Sequence, residues 1–109
     1  MTKQDLQQII KIAIASNSMD NWYGISKENI EDHLIEPALV NFIDASSGQI
    51  KEYWLVLDED PSDKTHGYQI VYDQKENMFG LATKTNIETK NIGVVIGLYG
   101  SFIETLNGM

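Results

Sequence analysis

Apolar and polar residues alternate with two different periods along this chain of 109 residues. In the N-terminal part the apolar positions repeat at three- and four-residue spacing, at Leu6, Ile9, Ile10, Ala13 and Ile14. This spacing lines one face of a helix, and such a face packs on the core of a protein more often than on a partner. Thr2, followed three residues later by Asp5, can cap the helix. We therefore predict a first helix that packs on the core.

A second helix is predicted to begin at Ser26 and to end before Pro37. Ile25 and Ile30 flank its first turn as a hydrophobic staple, and the proline restricts the residue in front of it to extended conformations. The polar segment 17–24 separates the two helices, because serine and asparagine compete for backbone hydrogen bonds.

From Ala38 the apolar period changes to two, which is typical of β-strands. Short polar turns separate the apolar segments, so consecutive strands are predicted to pair in the antiparallel direction. Two runs, Tyr53–Leu57 and Ile92–Tyr99, are apolar on both faces, which predicts interior strands that are covered, at least in part, on both sides. The five predicted strands are Leu39–Ala45, Ile50–Asp58, Tyr68–Asp73, Met78–Lys84 and Ile92–Tyr99.

The chain ends in a strand that leads into a short helix through Gly100. Ser101 and Glu104 have the spacing of a capping box, and we predict that Phe102 and Leu106 are buried in the helix that follows. A glycine and a serine at the start of a helix can also hold a phosphate, but the glycine-rich fingerprints and their lysine are missing from the sequence. We interpret Ser101 as a helix cap.

These elements define one α+β domain that spans residues 1–109. It is predicted to contain two N-terminal helices, a five-stranded, mostly antiparallel meander sheet and a short C-terminal helix, with the helices on one face of the sheet. An exposed apolar face on the other side of the sheet would favour a homodimer. The sequence leaves a monomer and a homodimer open.

Charge and composition exclude several functions. Sixteen acidic and eight basic residues give a net charge of −8, and all the basic residues are lysines. Because nucleic-acid-binding proteins need a basic face and usually arginine, we predict no nucleic-acid partner. The sequence shows no cysteine, no apolar run of membrane-spanning length and no signal peptide. Thiol chemistry is excluded, and we expect a cytoplasmic protein that binds no membrane.

The sequence holds no recognisable catalytic motif, and we predict that the protein is not an enzyme. His33 and His66 are the only histidines, and hydrolysis near His66 stays a minor alternative. Asp58, Asp60 and Ser62 have the spacing that begins a calcium loop, but the pattern fails beyond them. We interpret this segment as a solvated turn, with a bound cation as its alternative, and predict neither a metal nor a cofactor.

Acidic and aromatic residues are the best candidates for a binding surface. Tryptophan and tyrosine keep a polar end in solvent, and aromatic anchors ringed by carboxylates suit a basic protein partner. Two plainer explanations stay open, namely that the rings anchor loops on the core and that the acidity maintains solubility. The candidate partner-binding residues are Trp22, Tyr23, Asp58, Glu59, Asp60 and Asp63.

The segment Gly67–Asp73 and the final helix Ser101–Leu106 resemble the end of Smi1/Knr4-type proteins. The resemblance is limited to the C-terminal part, and the N-terminal motif of that family has no counterpart at residues 17–24. It implies an α+β fold and membership of a largely bacterial family in which many proteins neutralise toxins. No site residue is transferred from the family to this chain.

We therefore predict a non-enzymatic binding protein, an immunity or inhibitor protein that neutralises a basic toxin or enzyme through an acidic, aromatic surface. The alternative is a domain that binds a small molecule, or that is a subunit of a larger assembly, and uses an apolar pocket between sheet and helices. The sequence identifies neither the partner nor the ligand.

Overall fold

The computed structural model describes residues 1–16, 21–22, 25–26, 29–63, 66–84 and 92–109. Helix α1 covers Lys3–Ser16. Two short antiparallel strands, β1 (Asn21–Trp22) and β2 (Ile25–Ser26), precede the single-turn helix α2 (Ile30–His33). The rest of the chain forms β3 (Leu34–Asp44), β4 (Ile50–Asp58), β5 (Tyr68–Asp73), β6 (Met78–Thr83), β7 (Val94–Gly100) and α3 (Phe102–Asn107).

Strands β3 to β7 form a closed barrel in chain order. Consecutive strands pair antiparallel, and the barrel closes where β7 lies parallel to β3. At this closure the N–H of Ile43 donates to Gly93 at 2.9 Å and the N–H of Ala45 donates to Val95 at 3.0 Å. The predicted α+β class and the mostly antiparallel, five-stranded sheet are confirmed, while the closure into a barrel was not predicted.

The predicted second helix is wrong in its extent. Helix α2 is one turn long, and from Leu34 the residues assigned to the helix belong to β3. Pro37 is buried inside β3, at an irregularity in the pairing with β4 between Leu34 and Ala38. A bulge tolerates a proline, because the ladder is interrupted there and needs no N–H donor. Pairing with β4 therefore outweighs the helical pattern of this segment.

Two apolar cores fill the molecule, one inside the barrel and one outside it. The inner core receives side chains from all five barrel strands: Phe42, Tyr53, Leu55, Val71, Ala82, Val95 and Leu98. The outer core joins β4, β5 and β6 to the helices, which contribute Leu6, Ile10, Ile30, Phe102 and Leu106. The predicted packing of the first helix on the core is confirmed, and so is the burial of the two apolar residues of α3.

The closing strand β7 is covered only in part. Val95 is buried, whereas Ile96 is 47 % exposed and Tyr99 is 39 % exposed. Two register shifts in its pairing with β6 interrupt the strict alternation that the sequence suggests. A Cβ atom at Gly93 would lie 2.8 Å from the ring of Phe42 and 2.9 Å from the backbone oxygen of Thr83, so the close packing of β7 requires glycine here.

Both predicted helix caps are present. The Ser101 Oγ accepts from the N–H of Glu104 at 3.1 Å, and the Glu104 carboxylate accepts from the N–H of Ser101 at 3.2 Å. At α1 the reciprocal bonds between Thr2 and Asp5 measure 3.1 and 3.0 Å. Within the described ranges no helix has the length and apolar character needed to cross a membrane.

Candidate binding site at the barrel mouth

One end of the barrel carries three polar side chains, Asp58, Gln69 and Lys84, which we call the polar mouth. Asp58 ends β4, Gln69 lies in β5 and Lys84 follows β6. The Lys84 Nζ lies 2.6 Å from Oδ1 of Asp58, and these side chains are only 4 % and 11 % exposed. Gln69 donates from Nε2 to the other oxygen of the carboxylate at 3.1 Å. The apolar interior of the barrel therefore ends in a buried ion pair.

An irregularity in β4 turns Asp58 into the barrel. Leu55 belongs to the inner core and Leu57 to the outer core, yet their partners on β5 are consecutive residues. Val56 is thus an extra residue on β4, which is a β-bulge. Beyond the bulge, Asp58 pairs with Gln69 on the side of the sheet that faces the interior.

The ammonium group of Lys84 also holds the loop that follows β4. We call residues 58–63 the acidic loop. Lys84 donates to the backbone carbonyl of Asp60 at 2.6 Å and to that of Asp63. With the Asp58 carboxylate it has three oxygen acceptors, as many as an ammonium group has protons. The acidic loop is therefore folded around a cation that the protein itself supplies.

The remaining carboxylates of the acidic loop accept hydrogen bonds from nearby groups. Glu59 Oε1 accepts from a backbone N–H of β5 at 2.8 Å, and Asp63 Oδ1 accepts from the N–H of His66 at 3.0 Å. Asp60 Oδ1 accepts from the hydroxyl of Ser62 at 2.6 Å and from its N–H at 3.1 Å. These bonds hold the pKa of Asp60 below its usual range. The loop presents negative charge on a fixed backbone.

The structure places four of the predicted partner-binding residues in one loop: Asp58, Glu59, Asp60 and Asp63. Asp58 is only 8 % exposed, so its carboxylate belongs to the interior of the mouth. Asp60 is exposed, and Glu59 and Asp63 are half-buried. Of the two aromatic candidates, Trp22 lies in β1, and Tyr23 lies outside the described residues.

Sequence reasoning missed two residues of the polar mouth, Gln69 and Lys84. A signal for Lys84 existed, because Ala82 lies in the inner core and Lys84 follows it by two residues. A lysine on the inward face of a strand needs a buried partner, since lysine is almost never fully buried unpaired. That requirement points to an inward acid on a neighbouring strand.

The groups considered for catalysis or for metal binding contact carboxylates of the acidic loop. The hydroxyl of Ser62 donates to Asp60, and the ring of His66 lies 3.6 Å from Asp63. In the part of the chain that the structure describes, no group of three or more His, Cys, Asp or Glu side chains could hold a metal ion. The oxygens near the calcium-like pattern instead surround Lys84.

Comparison of the chain with protein-family models, with curated proteins and with solved structures finds no match. The resemblance of the C-terminal part to Smi1/Knr4-type proteins stays a prediction from the sequence. The geometry of the acidic loop and the polar mouth is therefore the basis for a functional proposal.

Proposed function

We propose that this protein is a non-enzymatic binding protein, an immunity or inhibitor protein that neutralises a basic toxin or enzyme in the cytoplasm. The observation that supports it most is the acidic loop, in which four of six residues are acidic and one buried lysine, Lys84, fixes the backbone. A loop that is ordered before binding suits this role, because association then requires little further loss of conformational entropy.

The charge of the whole chain supports the same proposal. A net charge of −8 attracts a cationic partner over a distance and accelerates the encounter. The exposed carboxylate of Asp60 is ionised at neutral pH, as an aspartate usually is, and its bonds to Ser62 lower its pKa further. Trp22 and Tyr23 are proposed as the aromatic anchors of the contact, since aromatic side chains often dominate the energy of an interface. The resemblance to a family with many toxin-neutralising members agrees with this function.

Co-purification at two salt concentrations tests the proposal. The tagged protein is expected to retain a basic, stoichiometric partner from its native host at about 20 mM salt and to lose it at about 500 mM, where screening is far stronger. Asp60→Asn combined with Asp63→Asn should weaken retention. The matched control combines Glu52→Gln with Glu76→Gln, two exposed acids outside the acidic loop. Absence of a basic partner at low salt, or equal weakening by the control, would contradict the proposal.

A second candidate function is the binding of a small molecule in the groove between α1 and β3. The groove has a volume of about 970 Å³, which lies within the range of ligand sites, and its apolar lining is Ile10, Ile14, Ile30, Leu34 and Val56. Ala15 lines the groove, and Ala15→Trp is designed to narrow it. A ligand that raises the melting temperature of the wild type, but not of Ala15→Trp, would favour this function.

A homodimer is a further proposal, supported by exposed isoleucines on the barrel. Ile50 is 58 % exposed and Ile96 is 47 % exposed, and they lie on β4 and β7, the two strands that pair with β3. Apolar surface of this kind favours self-association. If a dimer forms, Ile50→Lys should shift its elution in size-exclusion chromatography to that of a monomer.

A further inference from the structure

A cavity of about 480 Å³ opens beside the polar mouth. Its polar wall contains the three mouth residues and Asp63 of the acidic loop. Its apolar wall contains Val40 and Phe42 of β3 and Leu55 of β4. Because Phe42 and Leu55 also pack in the inner core, the cavity is the open end of the barrel interior.

The wall of this cavity carries a formal charge of −1. Its charged residues are Asp58, Asp63 and Lys84, two acids and one base. The positive charge of Lys84 is offset at close range, because its ammonium contacts the Asp58 carboxylate and two backbone carbonyls. Asp63 lies half-buried at the wall, where its charge is less screened by solvent than a charge on the open surface. The cavity thus combines apolar walls with one excess negative charge.

We propose that this cavity receives one lysine or arginine side chain of the basic partner. The inference rests on the proposed function and names the contact by which the partner is held. The aliphatic stem packs on Val40, Phe42 and Leu55, and the cationic end pairs with the Asp63 carboxylate. An acidic side chain is repelled by the negative charge of the wall, and a fully apolar side chain lacks the positive charge that the wall attracts.

Titration with small cationic probes tests this site on the intact protein. The probes are Nα-acetyl-lysine methylamide and the arginine counterpart, and the control is the norleucine counterpart, which keeps the stem and lacks the charge. NMR spectra of the amide groups are expected to show saturable shifts at the cavity residues. The norleucine probe is expected to bind at least about threefold more weakly, a difference of roughly 0.7 kcal/mol.

Two pairs of variants separate the cavity from the acidity of the loop. Asp63→Asn should weaken binding of the lysine probe by about threefold or more, whereas Asp60→Asn should leave it within about twofold. Both substitutions remove one charge from the same loop, but Asp63 alone of the two lines the cavity. Val40 is 36 % exposed, so it accepts a charged side chain. Val40→Lys should abolish probe binding and Val40→Glu should tighten it, which also tests the site if Asp63→Asn fails to fold.

Three results would overturn the proposed site. The norleucine probe binds as tightly as the lysine probe, the two aspartate variants weaken binding of the lysine probe equally, or Val40→Lys leaves that binding unchanged. Absence of saturable shifts with both cationic probes up to about 100 mM would also overturn it. If the probes bind as expected and no basic partner is retained in co-purification, the proposed function fails and the cavity stands as a site for alkyl cations. If a basic partner is retained equally well by Val40→Lys, the function stands and the cavity is not its contact.

Discussion

Two lysine–aspartate pairs lie at opposite ends of β4 and differ in their surroundings. Lys84 and Asp58 are 2.6 Å apart, and their side chains are 4 % and 11 % exposed. Lys51 and Asp44 are 2.8 Å apart, and their side chains are 47 % and 16 % exposed, so the two pairs differ mainly at the lysine. The distances are almost equal, so a difference in what the two pairs contribute to stability must come from their surroundings, namely the burial of Lys84 and its bonds to two backbone carbonyls.

The exposed pair braces a turn, whereas the buried pair holds a loop and closes the barrel interior. If Lys51 is removed, Asp44 keeps its hydrogen bonds from Ser46 and, at 16 % exposed, stays in contact with water. Pairs with an exposed partner contribute little to stability. If one partner of the buried pair is removed, the other charge stays out of reach of water, which is strongly destabilising. The comparison teaches that burial, and not contact distance, ranks the ion pairs of this protein.

The largest expected effect follows from Lys84→Met, which keeps a long apolar side chain and removes the charge. Asp58 would then retain its bonds to Gln69 and to the N–H of Asp60 but would have no counter-ion. We expect the free energy of unfolding to fall by about 3–5 kcal/mol. Urea unfolding followed by tryptophan fluorescence measures this change.

Lys51→Met is the matched control, because it removes the same charge from the exposed pair. Its effect on the urea midpoint at neutral pH should be much smaller than that of Lys84→Met. The double variant of Lys84→Met with Asp58→Asn should recover part of the loss, since it removes the unpaired charge. If Lys84→Met and Lys51→Met lose similar amounts of unfolding free energy, burial does not explain the difference between the two pairs.

Most of the barrel strands could be predicted from the sequence. The bounds of β4 and β5 are those that the period-two pattern indicates, and β6 differs by one residue, Lys84. The bounds are clear because these strands lie between two cores, so that each reads as a mostly apolar segment bounded by polar turns. The caps at Thr2 and Ser101 were equally predictable, since a capping box depends only on residues three apart.

The inward position of Lys84 left a signal in the sequence, but its meeting with Asp58 and Gln69 could not be predicted, because that meeting depends on pairing between distant segments. Strict alternation from Leu55 and Leu57 places Asp58 on the outside of the sheet, and only the bulge at Val56 turns it inward. The predicted extent of the second helix was wrong for a related reason. Residues from Leu34 onward pair with β4, and a local sequence pattern does not show this contact between distant segments. Local periodicity predicts elements, and tertiary pairing decides which side chains meet.

Gln69→Leu tests whether the stability of the polar mouth depends on Gln69 as well as on Lys84. The substitution removes the 3.1 Å bond to Asp58 and leaves one carboxylate oxygen without that donor. Because the bond involves a charged, buried group, we expect a loss of about 1.5–3 kcal/mol in the free energy of unfolding, measured by urea unfolding. The control is Gln74→Leu, which removes the exposed bond from the Trp54 indole, 3.0 Å long, and should cost less than about 1 kcal/mol. Equal losses in the free energy of unfolding would show that burial does not decide how much each glutamine bond contributes to stability.

The smallest expected effect concerns the protonation of Asp44 at the exposed end. The hydrogen bond from Lys51, with further bonds from Ser46, holds the pKa of Asp44 well below its usual range. Because the pKa is lower in the folded state, the resulting stability is present above the unfolded value near pH ~4 and is lost as the pH falls through the folded value.

Lys51→Met should therefore raise the pKa of Asp44 toward its usual range, and about 1 M salt should shift the wild-type value in the same direction by screening. Titration of the side-chain carboxyl carbon by NMR measures both. If Asp44 titrates identically in the wild type and in Lys51→Met, the exposed pair is not formed in solution. The two ends of β4 would then differ in the presence of an ion pair, and not only in the solvent around it.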